Sequence, residues 1–182
     1  FVAVERFRAR MVEINEDIRW VPEAIGTNRF GNWLEGARDW AISRNRYWGS
    51  AIPVWECDSG GCMVAIGSRQ ELADRSGVLL DDLHKHFVDD VTFTCPDCSG
   101  TMRRVPEVLD CWFESGSMPF AQIHYPFENE ERFEQRFPAD FIAEGLDQTR
   151  GWFYTLLVLS AAIRDEAPFQ NCVVTGMILA ED

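Results

Sequence analysis

The sequence has few basic residues for its length. Lys and Arg number 17 against 30 Asp and Glu in 182 residues, which gives a net charge of -13. This acidic excess excludes a broad nucleic-acid surface, so any contact with phosphates has to be local. Long apolar runs are also absent, since no stretch approaches the roughly 18–20 residues that span a bilayer. The N-terminus lacks the residue order of a signal peptide, and we therefore predict a cytoplasmic protein with no membrane partner.

The remaining composition is that of a folded protein. Hydrophobic residues make up 46% of the chain and aromatic residues 13%, which excludes a disordered segment. A chain of 182 residues predicts one domain, or one domain with a small insert. The sequence shows no internal repeat and no low-complexity tract.

Apolar residues at helical spacing predict two helices in the first quarter of the chain. One helix is expected over about 3–16, and a short one is expected to begin near Trp33 and to end before Ser43. Further along, Ser68 and Glu71 have the spacing of a capping box, and Gly77 follows as a stop signal. These residues predict a helix near 69–76.

Short apolar runs predict strands near 51–55, 107–110, 140–144 and 172–175. A strongly helical pattern between Asp147 and Ile163 separates the last two. The order strand, helix, strand predicts a right-handed crossover between parallel strands, so the fold class is α/β and residues 105–182 form part of an open sheet.

Four of the six cysteines are paired along the chain. Cys57 and Cys62 form one pair, and Cys95 and Cys98 form the other, each beside Gly or Pro. This spacing predicts a structural zinc site with four thiolates and no open position for water. The alternative is a pair of disulfides or reduced structural thiols, which a chain without a secretion signal disfavours.

Two histidines lie between the cysteine pairs. His84 and His86 are alternative metal ligands, but a polar loop favours surface positions for them. A zinc ribbon with the Arg103-Arg104 pair also suits a free-standing nucleic-acid or protein recognition module. The surrounding acidic residues argue against a broad phosphate-binding surface.

Two segments follow predicted strands where ligands bind in open α/β sheets. One runs from Asp110 to Gly116, and the other from Glu144 to Trp152. We expect adjacent strands to bring them together. Asp147 is the expected N-cap of the following helix, and Gln148 and Trp152 should share its face.

Glycine and tryptophan residues in these segments indicate close packing. Gly145 permits a close backbone approach, and Gly151 is costly inside a helix, which suggests that a ligand or a strand packs against it. Trp112 and Trp152 suit a small apolar slot with polar groups at its mouth. Ordinary core tryptophans and solvated caps remain the alternative interpretation.

Longer stretches resemble the class I aminoacyl-tRNA synthetases, in particular those specific for isoleucine. The resemblance covers nearly the whole chain. It rests on the segments Asn32 to Glu35, Asp39 to Gly49, Ile52 to Trp55, Asp110 to Gly116 and Glu144 to Phe153. The run Leu-Asp-Gln-Thr-Arg-Gly-Trp-Phe separates it from the valyl and leucyl branches, although a sister branched-chain enzyme remains the alternative.

The resemblance implies a role for each matching position. Trp112 and Trp152 would form the walls of the isoleucine pocket, and Arg44 and Arg46 would face the acceptor end of tRNA(Ile). Ordinary surface or ion-pair arginines are the alternative for Arg44 and Arg46. The residues implied to hold the ribose and the aminoacyl linkage of the adenylate are Glu144, Gly145, Asp147 and Gln148. The implied partners are isoleucine, ATP with magnesium, and tRNA(Ile).

The family's ATP signatures, His-x-Gly-His and Lys-Met-Ser-Lys, do not occur in these residues. We therefore expect an inner segment of a longer enzyme, inactive alone, with residues 175–182 leading toward the second signature. The expected divisions are a helical re-entry segment at 1–54, a zinc-binding insert at 55–104, and part of a Rossmann-type catalytic domain at 105–182.

Overall fold

A computed structural model describes residues 1–176 of the chain. It divides into two compact units, one formed by Phe1–Ala41 with the described residues from Trp112 onward and the other by Ile42–Cys111. The predicted insert at 55–104 lies within the second unit. Of the segment expected to lead toward the second ATP signature, residues 177–182 lie outside the described part.

The described residues contain eight α-helices and nine strands. The α-helices are α1 (Arg8–Glu16), α2 (Gly31–Glu35), α3 (Arg69–Ser76), α4 (Lys85–Val88), α5 (Cys111–Gly116), α6 (Met118–Ala121), α7 (Glu130–Arg136) and α8 (Trp152–Arg164). The strands are β1 (Arg19–Val21), β2 (Ser43–Arg44), β3 (Val54–Cys57), β4 (Met63–Ala65), β5 (Phe93–Thr94), β6 (Thr101–Arg104), β7 (Val108–Leu109), β8 (Ala139–Gly145) and β9 (Phe169–Thr175). Two 3-10 helices (Val4–Arg6 and Leu146–Arg150) and a π-helix (Ile25–Phe30) complete the set.

A three-stranded parallel sheet in the order β1-β9-β8 organises the first unit. Strand β8 pairs with β9 from Ala139 opposite Phe169 to Gly145 opposite Thr175. Helix α8 makes the crossover between them. The predicted strand, helix, strand order and the parallel pairing are confirmed.

Helix α8 lies at the centre of the first unit's core. Its sequence is apolar on nearly every side, and all residues from Thr155 to Ala161 are buried. Such a helix is stable only when other elements cover it. The ring of Trp20 on β1 packs against Phe153 with ring centroids 5.8 Å apart, and Phe169 on β9 is fully buried beside them.

The helices predicted near the N-terminus are found in modified form. The segment 3–16 forms the 3-10 helix and α1, with a break at Phe7. The second helix begins earlier than predicted and ends at Glu35, so its predicted extension toward Ser43 is wrong. Trp40 instead exchanges backbone hydrogen bonds with Val2, at 2.8 and 3.0 Å, which holds that segment extended.

The second unit is built on a four-stranded antiparallel sheet in the order β4-β3-β6-β5. Trp55 and Met102 occupy its core, and the Trp55 indole Nε1 donates to the Val91 carbonyl at 2.8 Å. The guanidinium of Arg104 is buried here and forms an ion pair with Asp89. This buried charge is therefore paired, as its desolvation requires.

Helix α3 begins and ends where the capping signals predict. The Ser68 hydroxyl accepts the Glu71 backbone N–H at 3.0 Å, and Gly77 adopts a left-handed conformation with φ 75°. The Glu71 carboxylate accepts the Gly67 backbone N–H at 2.8 Å. The predicted helix at 69–76 is confirmed.

Strand β7 does not join the parallel sheet. It pairs antiparallel with β2, Ser43 opposite Leu109 and Arg44 opposite Val108. The expectation that the strand near 107–110 lies beside the strand near 140–144 is wrong, because a two-residue apolar run fits either partner.

None of the helices among residues 1–176 is long and apolar enough to cross a membrane.

Candidate functional site

The first candidate site lies where α5 meets the turn between β8 and α8. Trp112 is in the first turn of α5, and the residue is 42% exposed. A Cβ added to Gly151 would lie 3.0 Å from Cη2 of Trp112. The packing inferred from Gly151 is therefore found, and the group packed there is the Trp112 ring instead of a strand.

Trp152 is joined to the same helix by a hydrogen bond. Its indole Nε1 donates to the Ser115 carbonyl at 3.1 Å. Trp112 of the first segment therefore packs against the second, and Trp152 of the second segment bonds to the first. The segments 110–116 and 144–152 meet at these two residues, although strands β7 and β8, which precede them, are not paired with each other. Sequence reasoning did not identify Ser115, whose contribution is a backbone carbonyl without a side-chain signal.

The 3-10 helix Leu146–Arg150, called here the 146–150 turn, separates β8 from α8. The N-cap of α8 is Gly151, which has no side chain, and Oε1 of Gln148 accepts the Trp152 backbone N–H at 2.8 Å. The prediction that Asp147 is the N-cap is wrong, since the tight turn leaves Asp147 five residues before the helix. Gln148 lies in the 3-10 helix and not in α8, so the prediction that it shares a face of that helix with Trp152 is wrong, although the hydrogen bond joins the two residues.

The polar candidates lie along the end of β8 and the start of this turn. Glu144 and Asp147 are exposed, and Gly145 follows Glu144 as the last residue of β8. The Gln148 amide donates to the Asp147 carboxylate at 3.0 Å. A Cβ on Gly145 would stand 2.7 Å from Oδ1 of Asp147, so the carboxylate lies directly over the backbone. Carboxylates in this position can accept hydrogen bonds from ligand hydroxyls.

The second candidate site is formed by the four paired cysteines. The sulfur atoms of Cys57, Cys62, Cys95 and Cys98 all lie within 4.8 Å of one another. Cys62 and Cys95 are 2.9 Å apart and Cys57 and Cys98 are 3.5 Å apart, and none of the six cysteines is in a disulfide. Sulfur ligands of tetrahedral zinc are about 3.8 Å apart when each Zn–S bond is about 2.3 Å. The donor set and its compactness fit such a metal.

The backbone around the cysteines is shaped by glycine. A Cβ on Gly100 would stand 2.7 Å from the Cys57 sulfur, and the Gly100 N–H donates to the Cys98 sulfur at 3.4 Å. Gly61 has φ 64°, in the left-handed region that glycine adopts most easily. These glycines allow two tight turns to approach each other and bring the four thiols together.

The thiols perturb one another's ionisation. Hydrogen bonding to Cys95 raises the pKa of Cys62 to about 12. The same hydrogen bond lowers the pKa of Cys95 to about 7. All four positions are sulfur, so the cluster leaves no ligand position for a reacting water.

His84 and His86 lie outside this cluster and are exposed. The His84 ring stacks on Trp48 with centroids 4.8 Å apart, and its Nδ1 lies 2.6 Å from Oδ1 of Asp82. Their contacts are therefore with aromatic and acidic side chains of the second unit.

The two arginines expected to face tRNA are held by partners within the second unit. Arg44 forms an ion pair with the buried carboxylate of Asp110, and Arg46 donates to the Leu109 carbonyl at 3.2 Å. Both guanidinium groups thus bind the strand β7 and the residue that follows it.

Comparison with known proteins identifies the family. All of residues 1–182 match the family model described as tRNA synthetases class I (I, L, M and V). The chain belongs to the class I tRNA synthetases. Among the solved structures, this synthetase chain resembles agnB2 LeuRS of Agrobacterium radiobacter K84, determined as a ternary complex with tRNA and LeuAMS. The TM-score is 0.55 at 20% identity, over 77% of this chain and 19% of that one, which supports the fold alone.

Curated relatives are more similar in sequence. The isoleucine-tRNA ligase of Treponema denticola is 62% identical over 182 residues, which is 100% of this synthetase chain and 16% of that protein. The isoleucine-tRNA ligases of Protochlamydia amoebophila and Chlamydia trachomatis are 61% and 59% identical, again over 100% of this chain and 17% of each protein. The chain therefore spans about a sixth of the length of the curated relatives it matches.

Proposed function

We propose that the protein containing this chain is an isoleucine-tRNA ligase. The observation that carries this proposal is the 62% identity, over all 182 residues, to a relative of that name. In the proposed reaction the carboxylate of isoleucine attacks the α-phosphorus of ATP and displaces pyrophosphate. A hydroxyl of the terminal ribose of tRNA(Ile) then attacks the aminoacyl carbonyl of the adenylate, and AMP leaves. Magnesium bound with ATP would neutralise phosphate charge.

We assign the isoleucine side chain to the slot beside Trp112 and Trp152. The Trp112 ring is fixed against Gly151, and the Trp152 indole is fixed by Ser115. Two flat apolar walls held in this way favour a branched aliphatic side chain and exclude water. Their fixed positions supply selectivity before any chemical step occurs.

We assign the adenylate's polar groups to the end of β8 and to the 146–150 turn. Glu144 and Asp147 are exposed acceptors for ribose hydroxyls, and Gln148 offers amide groups near the aminoacyl linkage. Gly145 lets the ligand approach the backbone between them. These residues bind and orient the adenylate, while stabilisation of the phosphorus centre requires cationic groups such as those of the family's two ATP signatures. For that reason we expect this segment alone to be inactive.

We assign a structural zinc ion to Cys57, Cys62, Cys95 and Cys98. The four sulfurs are already gathered within 4.8 Å, and the small core around Trp55 gains stability when they are tied together. This assignment makes residues 55–104 a zinc-binding insert between a re-entry segment at 1–54 and a Rossmann-type domain at 105–182. Arg44 and Arg46 are assigned to the acceptor end of tRNA.

The proposed reaction is tested by amino-acid-dependent exchange of pyrophosphate into ATP, catalysed by the whole protein. We expect exchange with isoleucine, and a lower kcat/KM with valine. A higher kcat/KM with valine would replace the proposal with the valyl alternative. No exchange with either amino acid, in protein that binds tRNA, would reject an amino-acid-activating function.

A further inference from the structure

The centre of the 146–150 turn is a threonine that belongs to none of the predicted site positions. Thr149 is fully buried, between the exposed Asp147 and the tightly packed Gly151. A buried hydroxyl without hydrogen bonds is costly, so its partners determine where this turn can lie.

The Thr149 hydroxyl joins the turn to a distant part of the chain. It donates to the Leu146 carbonyl at 2.8 Å, which closes the turn on itself. It also accepts a hydrogen bond from Nε of Arg29 at 3.1 Å. One hydroxyl therefore carries both bonds, as donor and as acceptor.

Arg29 lies in the π-helix Ile25–Phe30, and the helix that follows provides a second contact to the same turn. The Arg150 guanidinium lies over the Trp33 ring of α2, 4.9 Å from the ring centroid. A cation over an indole face is attracted electrostatically. Two consecutive residues of the turn, Thr149 and Arg150, are thus held by one helical segment.

This helical segment is itself fixed to the core. The Asn15 amide of α1 donates to the Gly26 carbonyl at 3.1 Å and accepts from the Trp20 indole at 2.9 Å. A Cβ on Gly26 would stand 2.1 Å from the Trp20 ring, so the π-helix is pressed against β1. π-helical turns are rare and frequently occur at functional sites.

We propose that Arg29 is a positioning residue that acts through Thr149 to hold the 146–150 turn in its ligand-binding geometry. Arg29 touches no ligand in this scheme. It fixes the hydroxyl that closes the turn, and the turn presents Asp147 and Gln148. The inference rests on the proposed function, because it assigns the adenylate to those two residues.

The test uses the whole protein and a stable sulfamoyl analogue of isoleucyl-adenylate as the probe. Thr149→Val replaces the hydroxyl with a methyl group in a side chain of nearly the same shape, and Thr149→Ser keeps the hydroxyl. Arg29→Met removes the group that donates to it. The matched control is Arg8→Met, since Arg8 also donates to a partner of the first unit, the Ala37 carbonyl, at 3.0 Å. Affinities are measured at a temperature at which thermal unfolding shows that every variant is folded.

We expect Thr149→Val and Arg29→Met each to weaken analogue binding roughly 10- to 100-fold, as loss of a hydrogen bond to a charged group does. The double variant should lose no more than Thr149→Val alone, because both changes break one link. Thr149→Ser should stay within about 2-fold of the wild type, as should Arg8→Met. Hydrogen exchange of the Trp152 amide should accelerate in the two weakened variants.

Unchanged affinity in both weakened variants would overturn the inference, and so would losses that add in the double variant. An Arg8→Met loss equal to that of Arg29→Met would likewise reduce the effect to general destabilisation and overturn it. Failure of the proposed function has a different signature, in which the wild type itself does not bind the isoleucyl analogue.

Discussion

The Trp112 ring lies so close to Gly151 that a methyl group at position 151 would stand 3.0 Å from Cη2 and 3.2 Å from Cζ3. Roughly forty residues apart in sequence, the two positions form one packed contact between α5 and the start of α8. The absence of a side chain at Gly151 is what lets this contact form. The indole plane is consequently held in place by backbone on one side, while 42% of the residue stays accessible.

Gly151→Ala should displace the Trp112 ring. The new methyl group would also stand 2.8 Å from Oε1 of Gln148, and overpacking of this kind costs about 1–3 kcal/mol. We expect a higher KM for isoleucine in pyrophosphate exchange and a lower melting temperature. Gly176→Ala is the control, because no described atom lies within 4 Å of the point where its methyl group would stand. An unchanged isoleucine KM in Gly151→Ala would remove this contact from the pocket.

Trp112→Ala should weaken isoleucine activation by removing one wall of the slot. The expected change is mainly in the KM for isoleucine, since the exposed ring face offers apolar contact and no proton. Phe127→Ala, which removes another exposed aromatic ring of the first unit, is the control. Equal isoleucine KM values in the two variants would argue against the assignment of Trp112.

Gln148→Ala should loosen the first turn of α8. The lost acceptor for the Trp152 N–H is equivalent to loss of a helix cap, which costs about 0.5–2 kcal/mol. Gln148→Glu keeps the acceptor for the Trp152 N–H, but it loses the amide that donates to Asp147 and brings two carboxylates together, so it should recover only part of the stability. Thermal unfolding and hydrogen exchange at Trp152 measure both effects. Gln135→Ala, which removes an exposed hydrogen bond within α7, is the comparison, and an equal effect there would contradict the capping role.

Cys98→Ser should release one equivalent of zinc from the whole protein and destabilise the second unit. Three thiolates and one serine hydroxyl bind zinc more weakly than four thiolates do. Metal analysis of protein purified without chelator measures the loss. Cys111→Ser should retain the metal, because Cys111 lies outside the cluster. Equal metal content in the two variants would contradict the assigned ligands.

Cys172 should resist alkylation in the folded protein. Burial disfavours the thiolate and raises its pKa to about 12, so at pH 8 only about one part in ten thousand is ionised. Because the folded pKa lies above the ordinary value of 9.0, this group's stabilising contribution is present below pH 9 and is lost as the pH rises toward 12. Mass spectrometry after iodoacetamide treatment measures labelling at Cys172, with exposed Cys111 as the reactive comparison. Rapid labelling of native Cys172 at pH 8 would contradict this packing.

Local signals in the sequence were sufficient for several elements. Ser68 and Gly77 define the ends of α3 because a hydroxyl acceptor and a left-handed glycine act on the nearest backbone groups. The apolar run between β8 and β9 determines the crossover, since a helix of that character needs a sheet to cover it. The four cysteines were recognisable from their spacing, and the fold brings their sulfurs together.

The sequence alone could not assign the partner of β7. Val108 and Leu109 are equally suited to a parallel core strand, and only the tertiary structure places them antiparallel to β2. The capping of α8 was also misassigned, because the length of the 146–150 turn decides whether Asp147 or Gln148 reaches the first free N–H.

The amino-acid sequence by itself determined the chemistry available to this protein: two tryptophans, a row of carboxylates and amides after a strand, and four paired thiols. The tertiary structure decided which of these groups meet. Arg29 and Thr149 are hydrogen-bonded although they are 120 residues apart in the chain. Trp112 packs against Gly151 although the strands before them, β7 and β8, are not paired with each other. Local backbone preferences act over a few residues, whereas contacts of this kind depend on how the core packs, and no periodicity in the chain encodes them.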